Sequence, residues 1–104
     1  MSYRITYYIG KYDKETFKQE LSNEYFKNTI SSILGECTVV ESSSVYLNFK
    51  SKVVKEPSLK AEIIIDDEFK YIRSNTINNC QTFKRKFNQE AILFTIEEIQ
   101  YEVV

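Results

Sequence analysis

Histidine and tryptophan are both missing from this 104-residue chain, and glycine, proline and cysteine are scarce. Because histidine is the commonest general base and metal ligand at neutral pH, its absence excludes many familiar active sites and favours a binding or interaction module. The two glycines, Gly10 and Gly35, cannot form a glycine-rich phosphate loop. Any bound anion would therefore be held by side chains or single backbone amides.

A strong excess of charge of either sign is also lacking. Fourteen basic and fifteen acidic side chains leave a net charge of −1, which argues against general electrostatic capture of nucleic acid or anionic membranes. No stretch approaches the roughly 18 apolar residues of a membrane-spanning helix, and no secretory signal is recognisable. Cys37 and Cys80 lack Cys-x-x-Cys spacing and are expected to be reduced structural thiols. We therefore expect a cytoplasmic protein with no metal and no cofactor.

The first half of the chain shows two strands and a helix. Apolar side chains alternate with polar ones from Tyr3 to Ile9, which predicts a half-buried strand. Asp13 is a candidate N-cap for a helix that runs to Gly35. Residues 37–40 and 45–49 are rich in β-formers and predict a long second strand, interrupted or bulged at Ser42–Ser44.

The second half repeats this alternation of strand and helix. Residues 50–58 are polar and contain the single proline, so they are predicted to form a loop before a strand over residues 59–65. Acidic residues 66–68 and basic residues 84–86 mark the ends of a second helix, since both match the helix dipole. A last strand begins near Ala91, and the hydrophobic pattern changes phase at Glu97–Glu98, which predicts a bulge or a bend.

Two strand-helix-strand units predict a single domain over residues 1–104 with an α+β, ferredoxin-like βαββαβ fold. Both helices are expected on one face of a four-stranded antiparallel sheet in the order 4-1-3-2. The uncovered face would then be half apolar, a composition that commonly marks an interface, so a homodimer joined face to face or edge to edge is expected. The residues assigned to this open face are Arg4, Thr6, Tyr8, Tyr46, Asn48, Lys60, Glu62, Ile64, Leu93 and Thr95.

Basic residues gather in two places, around the central loop and at the end of the second helix. Lysines 50, 52, 55 and 60 form the first group, and residues 84–86 form the second. If the two groups lie close together, they would bind an anion. The alternative is a solvated helix end that simply complements the dipole.

Tyrosines offer a different interpretation. Tyr7, Tyr8 and Tyr46 would donate hydrogen bonds in a pocket between sheet and helices. Together with Arg73, such a pocket would describe a small dimeric α+β barrel enzyme of the monooxygenase or tautomerase type.

Two motifs carry a resemblance. Lys55-Glu56-Pro57-Ser58 enters the third strand, and Lys84-x-x-Phe87-x-Gln89-Glu90 leaves the second helix. Both resemble motifs of a family of small bacterial proteins known only as a domain of unknown function. The resemblance implies the ferredoxin-like fold and ranks the polar residues at element junctions as candidates for a shared site. The alternative is that Glu56 and Gln89 cap backbone groups at these turns.

The sequence thus predicts a self-associating, non-catalytic module that binds a small anionic, nucleotide-like ligand or a protein partner, and it does not predict nucleic-acid binding. Its Lys-, Asn- and Ile-rich composition is typical of a low-GC bacterium or its phage, where such a protein would sequester a nucleotide signal or block a defence protein. The predicted ligand-binding residues are Tyr8, Tyr46, Lys55, Glu56, Ser58, Arg73, Lys84, Lys86, Gln89 and Glu90.

Overall fold

The computed structural model describes residues 1–47, 51 and 53–104. Its elements follow the order strand, helix, strand, strand, helix, strand, and the sheet is antiparallel throughout, in the order β2-β3-β1-β4. This confirms the predicted ferredoxin-like fold and its strand order. The elements are β1 Ser2–Gly10, α1 Asn23–Leu34, β2 Thr38–Leu47, β3 Val53–Asp66, α2 Phe69–Phe87 and β4 Leu93–Ile99.

The hydrophobic core lies between the sheet and the two helices. The odd-numbered residues of β1 and of the second half of β3 point into it, as the alternation in β1 predicts. Phe83 and Phe87 of α2 stack with their ring centroids 5.7 Å apart. The ring centroid of Phe26 in α1 lies 4.6 Å from that of Phe87. Each fully buried aromatic or aliphatic side chain contributes roughly 1.5–3 kcal/mol to folding. The fully buried large side chains are Ile5, Tyr7, Ile9, Phe26, Ile30, Leu59, Ile72, Phe83 and Phe87.

The predicted start of α1 at Asp13 is wrong. Asp13 Oδ1 accepts hydrogen bonds from the amides of Glu15 and Thr16, so the side chain stabilises a local turn. Phe17 then adopts a positive φ of 58°, which a helix does not tolerate. The helix begins instead after Ser22, whose Oγ accepts the Tyr25 amide at 3.0 Å. Its predicted end is confirmed.

Neither predicted irregularity of β2 and β3 is present in the residues described. Ser42–Ser44 pair in constant register with Ser58, Pro57 and Glu56, so there is no bulge. The predicted loop over residues 50–58 is wrong for residues 53–58, which belong to β3. The predictions that Asn48 lies on the open face and that Lys50 and Lys52 belong to the central basic group concern residues outside those described.

Pro57 is compatible with β3 because of where β1 ends. Its carbonyl accepts the Lys11 amide at 3.0 Å, so its backbone polar groups face β1 rather than β2. Ladder pairing of β1 ends at Gly10, opposite Ser58. The missing proline N–H therefore costs no bond to β2.

The predictions for α2 are confirmed and that for β4 is corrected. Helix α2 follows the acidic residues 66–68, carries the basic residues 84–86 in its last turn and ends at left-handed Asn88. Strand β4 pairs with β1 in constant register to Ile99, so the predicted bulge at Glu97–Glu98 is wrong. Pairing ends at Ile99, so Tyr101 and Val103 lie beyond the strand and do not continue its alternation.

One buried cation joins three elements. Lys11, only 5% exposed, directs its Nζ to Asn23 Oδ1 at 2.9 Å and to Glu41 Oε1 at 3.6 Å. Glu41 also lies 3.6 Å from Lys27 of α1. These contacts connect the end of β1, the start of α1 and the middle of β2.

Candidate functional site

The face of the sheet opposite the helices carries a mixed polar and apolar surface. Even-numbered residues of β1 and β3 point to it, and the register sets them in rows across the strands. Thr6 lies beside Glu62 in the central row, whereas Tyr8 and Lys60 form the next row with Leu93. For the residues whose side chains are described, the predicted assignment to this face is confirmed.

Glu62 occupies the centre of this open face. Its carboxylate accepts a hydrogen bond from Thr6 Oγ1 at 3.4 Å and lies 3.4 Å from Lys60 Nζ. The side chain remains 32% exposed, so one side of the carboxylate is accessible to a ligand. Lys60 also lies 5.9 Å from the centre of the Tyr8 ring. The Lys60 ammonium group therefore contacts both the Glu62 carboxylate and the Tyr8 ring, and it is not held by Glu62 alone.

A groove of about 310 Å³ adjoins Glu62. It lies between the start of β2, the first half of β1 and the last part of β3. Arg4 closes one side and is itself held by Glu97 of β4 at 3.3 Å. The groove therefore combines carboxylates, a guanidinium, a hydroxyl and an apolar wall. Its lining is Arg4, Glu36, Cys37, Thr38, Glu62, Ile63 and Ile64.

The thiol in this groove is not set up as a nucleophile. Burial raises the pKa of Cys37, and it raises the pKa of Cys80 in the core to about 11. Both cysteines are free. Within residues 1–47, 51 and 53–104, no three potential ligands come close enough to hold a metal ion, and no helix is long and apolar enough to cross a membrane.

The motif residues Glu56 and Gln89 do converge, at the end of β1. Glu56 Oε1 accepts the Tyr12 amide at 2.9 Å, and Gln89 Nε2 donates to the Tyr12 carbonyl at 2.7 Å. Gly10 lies directly beneath both side chains. This geometry matches the interpretation that they cap backbone groups. Ser58 is buried nearby, whereas Lys55, Lys86 and Glu90 are exposed.

The residues proposed for an enzyme pocket do not meet. Tyr8 lies on the open face, and Arg73 lies exposed on α2, on the other side of the sheet. Tyr7 does point between sheet and helices, but it is fully buried in the hydrophobic core, where its hydroxyl accepts a hydrogen bond from Asn79 at 3.1 Å. Burial raises the pKa of this phenol. Tyr46 lies in β2 opposite Val54.

The groove residues were only partly foreseen. Alternation assigned Arg4 and Glu62 to the open face without naming them as binding residues. Glu36 and Thr38 could not be recognised, because they lie where the chain enters β2 and their proximity to Glu62 depends on strand pairing. Lys84 sits in the last turn of α2, where it complements the carbonyl end of the helix.

Comparison with known proteins gives a likeness in fold. No protein-family model and no curated protein matches the chain, so the resemblance in the two motifs stays a prediction. A solved phage SAM lyase in complex with S-methyl-5'-thioadenosine is similar, with a TM-score of 0.78 and 16% identity over 93% of this chain and 81% of that one. A phage SAM lyase in the apo state has a TM-score of 0.71 and 20% identity over 91% of this chain and 78% of that one. The chain thus shares its fold with phage proteins that include one bound to a small nucleoside thioether.

Proposed function

We propose that this protein binds S-adenosylmethionine, or a nucleoside closely related to it, in the groove beside Glu62. The observation that carries the proposal is an accessible carboxylate at the centre of an otherwise mixed sheet face, within the fold of a protein that holds S-methyl-5'-thioadenosine. The ligand class agrees with the nucleotide-like ligand predicted from the sequence. The proposed ligand differs in charge from the predicted anionic one, because S-adenosylmethionine carries a sulfonium cation.

The groove offers a complementary group for each part of this ligand. The carboxylates of Glu62 and Glu36 suit the sulfonium and ammonium charges, and the Arg4 guanidinium suits the carboxylate of the amino-acid end. The hydroxyl of Thr38 suits the ribose, and the apolar wall at Ile64 suits the adenine face. A cationic ligand would compete with Lys60 for Glu62, so binding should release that contact.

Calorimetric titration with S-adenosylmethionine and S-methyl-5'-thioadenosine tests the proposal. Glu62→Gln keeps the shape and removes the charge. Losing a hydrogen bond or contact to a charged group costs about 1.5–3 kcal/mol, so we expect affinity for the sulfonium to fall about tenfold or more. Affinity for the neutral thioether should change less.

Glu98→Gln is the matched control. Glu98 is likewise a glutamate of the sheet and is exposed, but its register partner Tyr3 belongs to the helix-covered face. Both variants change the net charge equally. Absence of binding to the wild-type chain, or equal effects of the two substitutions, would contradict the proposal.

Cleavage of the same ligand is the second candidate function. Cleavage that forms S-methyl-5'-thioadenosine breaks the bond between sulfur and the γ-carbon of the methionine part, and the electron pair of that bond goes to sulfur. If the ligand's own carboxylate oxygen attacks that carbon, the second product is a lactone that keeps the ammonium group. The net charge stays at +1 and no proton moves, so a chain without histidine suffices.

Mass spectrometry of the incubated ligand separates binding from cleavage. A cleaving protein would form thioether and lactone in equal amounts, and Glu62→Gln would slow their formation more than Glu98→Gln. A binder would return the ligand intact. Binding without products supports the non-catalytic module predicted from the sequence.

Either outcome fits a role in lowering the free concentration of a nucleoside in a host cell. The phage origin of both similar structures supports the proposal that this is a phage protein. The predicted cytoplasmic location would give it access to S-adenosylmethionine. The predicted nucleotide site at residues 84–86 is tested separately by thermal-shift screening against mono-, di- and cyclic nucleotides, with and without alanine at these three positions.

A further inference from the structure

Strand β2 forms an edge of the sheet that carries no obstacle to further pairing. Among the described residues it pairs with β3 alone. Natural edge strands are usually protected by lysine, proline, a bulge or short length. Strand β2 has ten residues in constant register, contains no lysine, proline or glycine, and carries one charge, Glu41. The opposite edge, β4, has seven residues and two adjacent glutamates.

The outward-facing backbone groups of β2 can be identified. Residues of an antiparallel strand alternate between bonding one neighbouring strand and the other. Because the Pro57 carbonyl accepts the Lys11 amide, Pro57 faces β1. Its partner Ser43 therefore faces away from β3. The N–H and C=O groups of residues 39, 41, 43, 45 and 47 thus point outward along the free edge.

We propose that the free edge of β2 pairs antiparallel with β2 of a second copy of this chain, around a two-fold axis at Ser43. In this register Ser43 faces Ser43 of the second copy, Glu41 faces Val45, and Val39 faces Leu47. All five outward-facing residues of each copy then lie in hydrogen-bonded pairs. The product is a continuous eight-stranded sheet.

Charge disfavours the registers centred closer to Glu41. Centring the axis on Glu41 would oppose two carboxylates directly, which is destabilising. Centring the axis on Ser42 would pair Glu41 with Ser43 of the second copy. The two Glu41 residues would then lie only two positions apart along the strands, about 7 Å. With the axis on Ser43, the two Glu41 residues lie four positions apart along the strands, about 13 Å. Each is also neutralised within its own copy by Lys11 and Lys27.

The residues around the axis are exposed and small enough for close approach. Ser42 and Ser43 are exposed, and Val45 is 62% exposed, so the pairing would cover apolar surface as well as backbone groups. The groove shares only Thr38 with β2, and the backbone of Thr38 pairs with Glu62 of β3 rather than lying along the free edge. The association of two copies can be measured without ligand, so its test is independent of ligand binding.

Light scattering over a dilution series gives the first test. We expect twice the 12.3 kDa mass of a single chain. Ser43→Pro removes an outward N–H without touching the ladder to β3, and Ser43→Lys sets two ammonium groups opposite each other at the axis. Both should return the mass to one chain with an unchanged circular dichroism spectrum. Thr95→Lys on β4 is the control and should keep the dimer.

Cysteine cross-linking tests the register, in a Cys37→Ser background that leaves only buried Cys80. Directly opposed residues of a hydrogen-bonded pair have Cα atoms about 5.5 Å apart, within disulfide range. Ser43→Cys should therefore form a covalent dimer on mild oxidation. Val45→Cys should not, because the two copies of residue 45 lie about 13 Å apart along the strands. A mass of one or three chains, a dimer unaffected by both Ser43 variants, or equal cross-linking at residues 43 and 45 would overturn the proposal.

Discussion

Replacing Gly10 by alanine tests the packing at the end of β1. A Cβ atom at Gly10 would overlap with Oε1 of Glu56 and lie 3.1 Å from Oε1 of Gln89. The backbone itself would accept alanine, since the φ of Gly10 is not positive. The cost therefore comes from displacing Glu56, whose Oε1 holds the Tyr12 amide.

The magnitude follows from two opposing terms. Losing a hydrogen bond between a carboxylate and a partly buried amide costs about 1.5–3 kcal/mol. Alanine recovers about 0.4–1 kcal/mol by restricting the unfolded chain. We expect Gly10→Ala to lower the free energy of unfolding by about 1–2 kcal/mol. For a domain of this size, that lowers the melting temperature by roughly 5–15 °C.

A double-mutant cycle measured by urea denaturation identifies the cause. In a Glu56→Ala background the Cβ has room, so Gly10→Ala should be neutral or slightly stabilising. Gly35→Ala is the control: it is strained by a φ of 75° but meets no neighbouring atom, so its cost should be equal in both backgrounds. If Gly10→Ala costs the same with and without the Glu56 carboxylate, the reasoning is refuted.

Three further outcomes are expected. An aromatic disulfide reagent near pH 8 should label Cys37 in the native protein and Cys80 only after unfolding, because the Cys80 thiol is buried with a pKa of about 11; equal labelling rates would contradict this. A hydrogen bond from Asn88 lowers the pKa of Asp13, so its contribution to stability is present above the unfolded-state pKa and is lost as the pH falls through the lower folded-state pKa. Asp13→Asn should therefore flatten the acid side of the stability profile, and an unchanged profile would argue against this contact. Tyr7→Phe should cost about 1–2 kcal/mol in urea denaturation by leaving the partly buried Asn79 amide without its acceptor, whereas Tyr8→Phe on the open face should cost less than about 0.5 kcal/mol.

The order of elements was predictable because β1 and α2 carry strong local patterns. The alternation in β1 and the charges at both ends of α2 are set by residues close in sequence. The start of α1 was not predictable from its capping signal alone. Asp13 is a genuine capping residue, but it caps a turn, and Phe17 ends that turn with a left-handed conformation.

The central hairpin depended on information from elsewhere in the chain. Residues 53–58 look like a loop because of their charges and Pro57. They form a strand because Pro57 faces β1 just beyond Gly10, which no local pattern reveals. The same holds for the groove: Arg4 and Glu62 could be assigned to a face, but Glu36 joins them only through the register of β2.

The amine of Lys11 anchors a segment that has no regular structure of its own. Between Gly10 and Asn23 the chain makes one turn and no strand or helix, yet a single ammonium group bonds Asn23 at the far end of it. This contact joins the two ends of the segment and so closes it into a loop. For the ends to separate, the Lys11 ammonium group must leave both Asn23 and Glu41. Release of the Lys11 side chain should therefore loosen the first turn of α1, while the bonds of Tyr12 to Glu56 and Gln89 still hold the start of the segment.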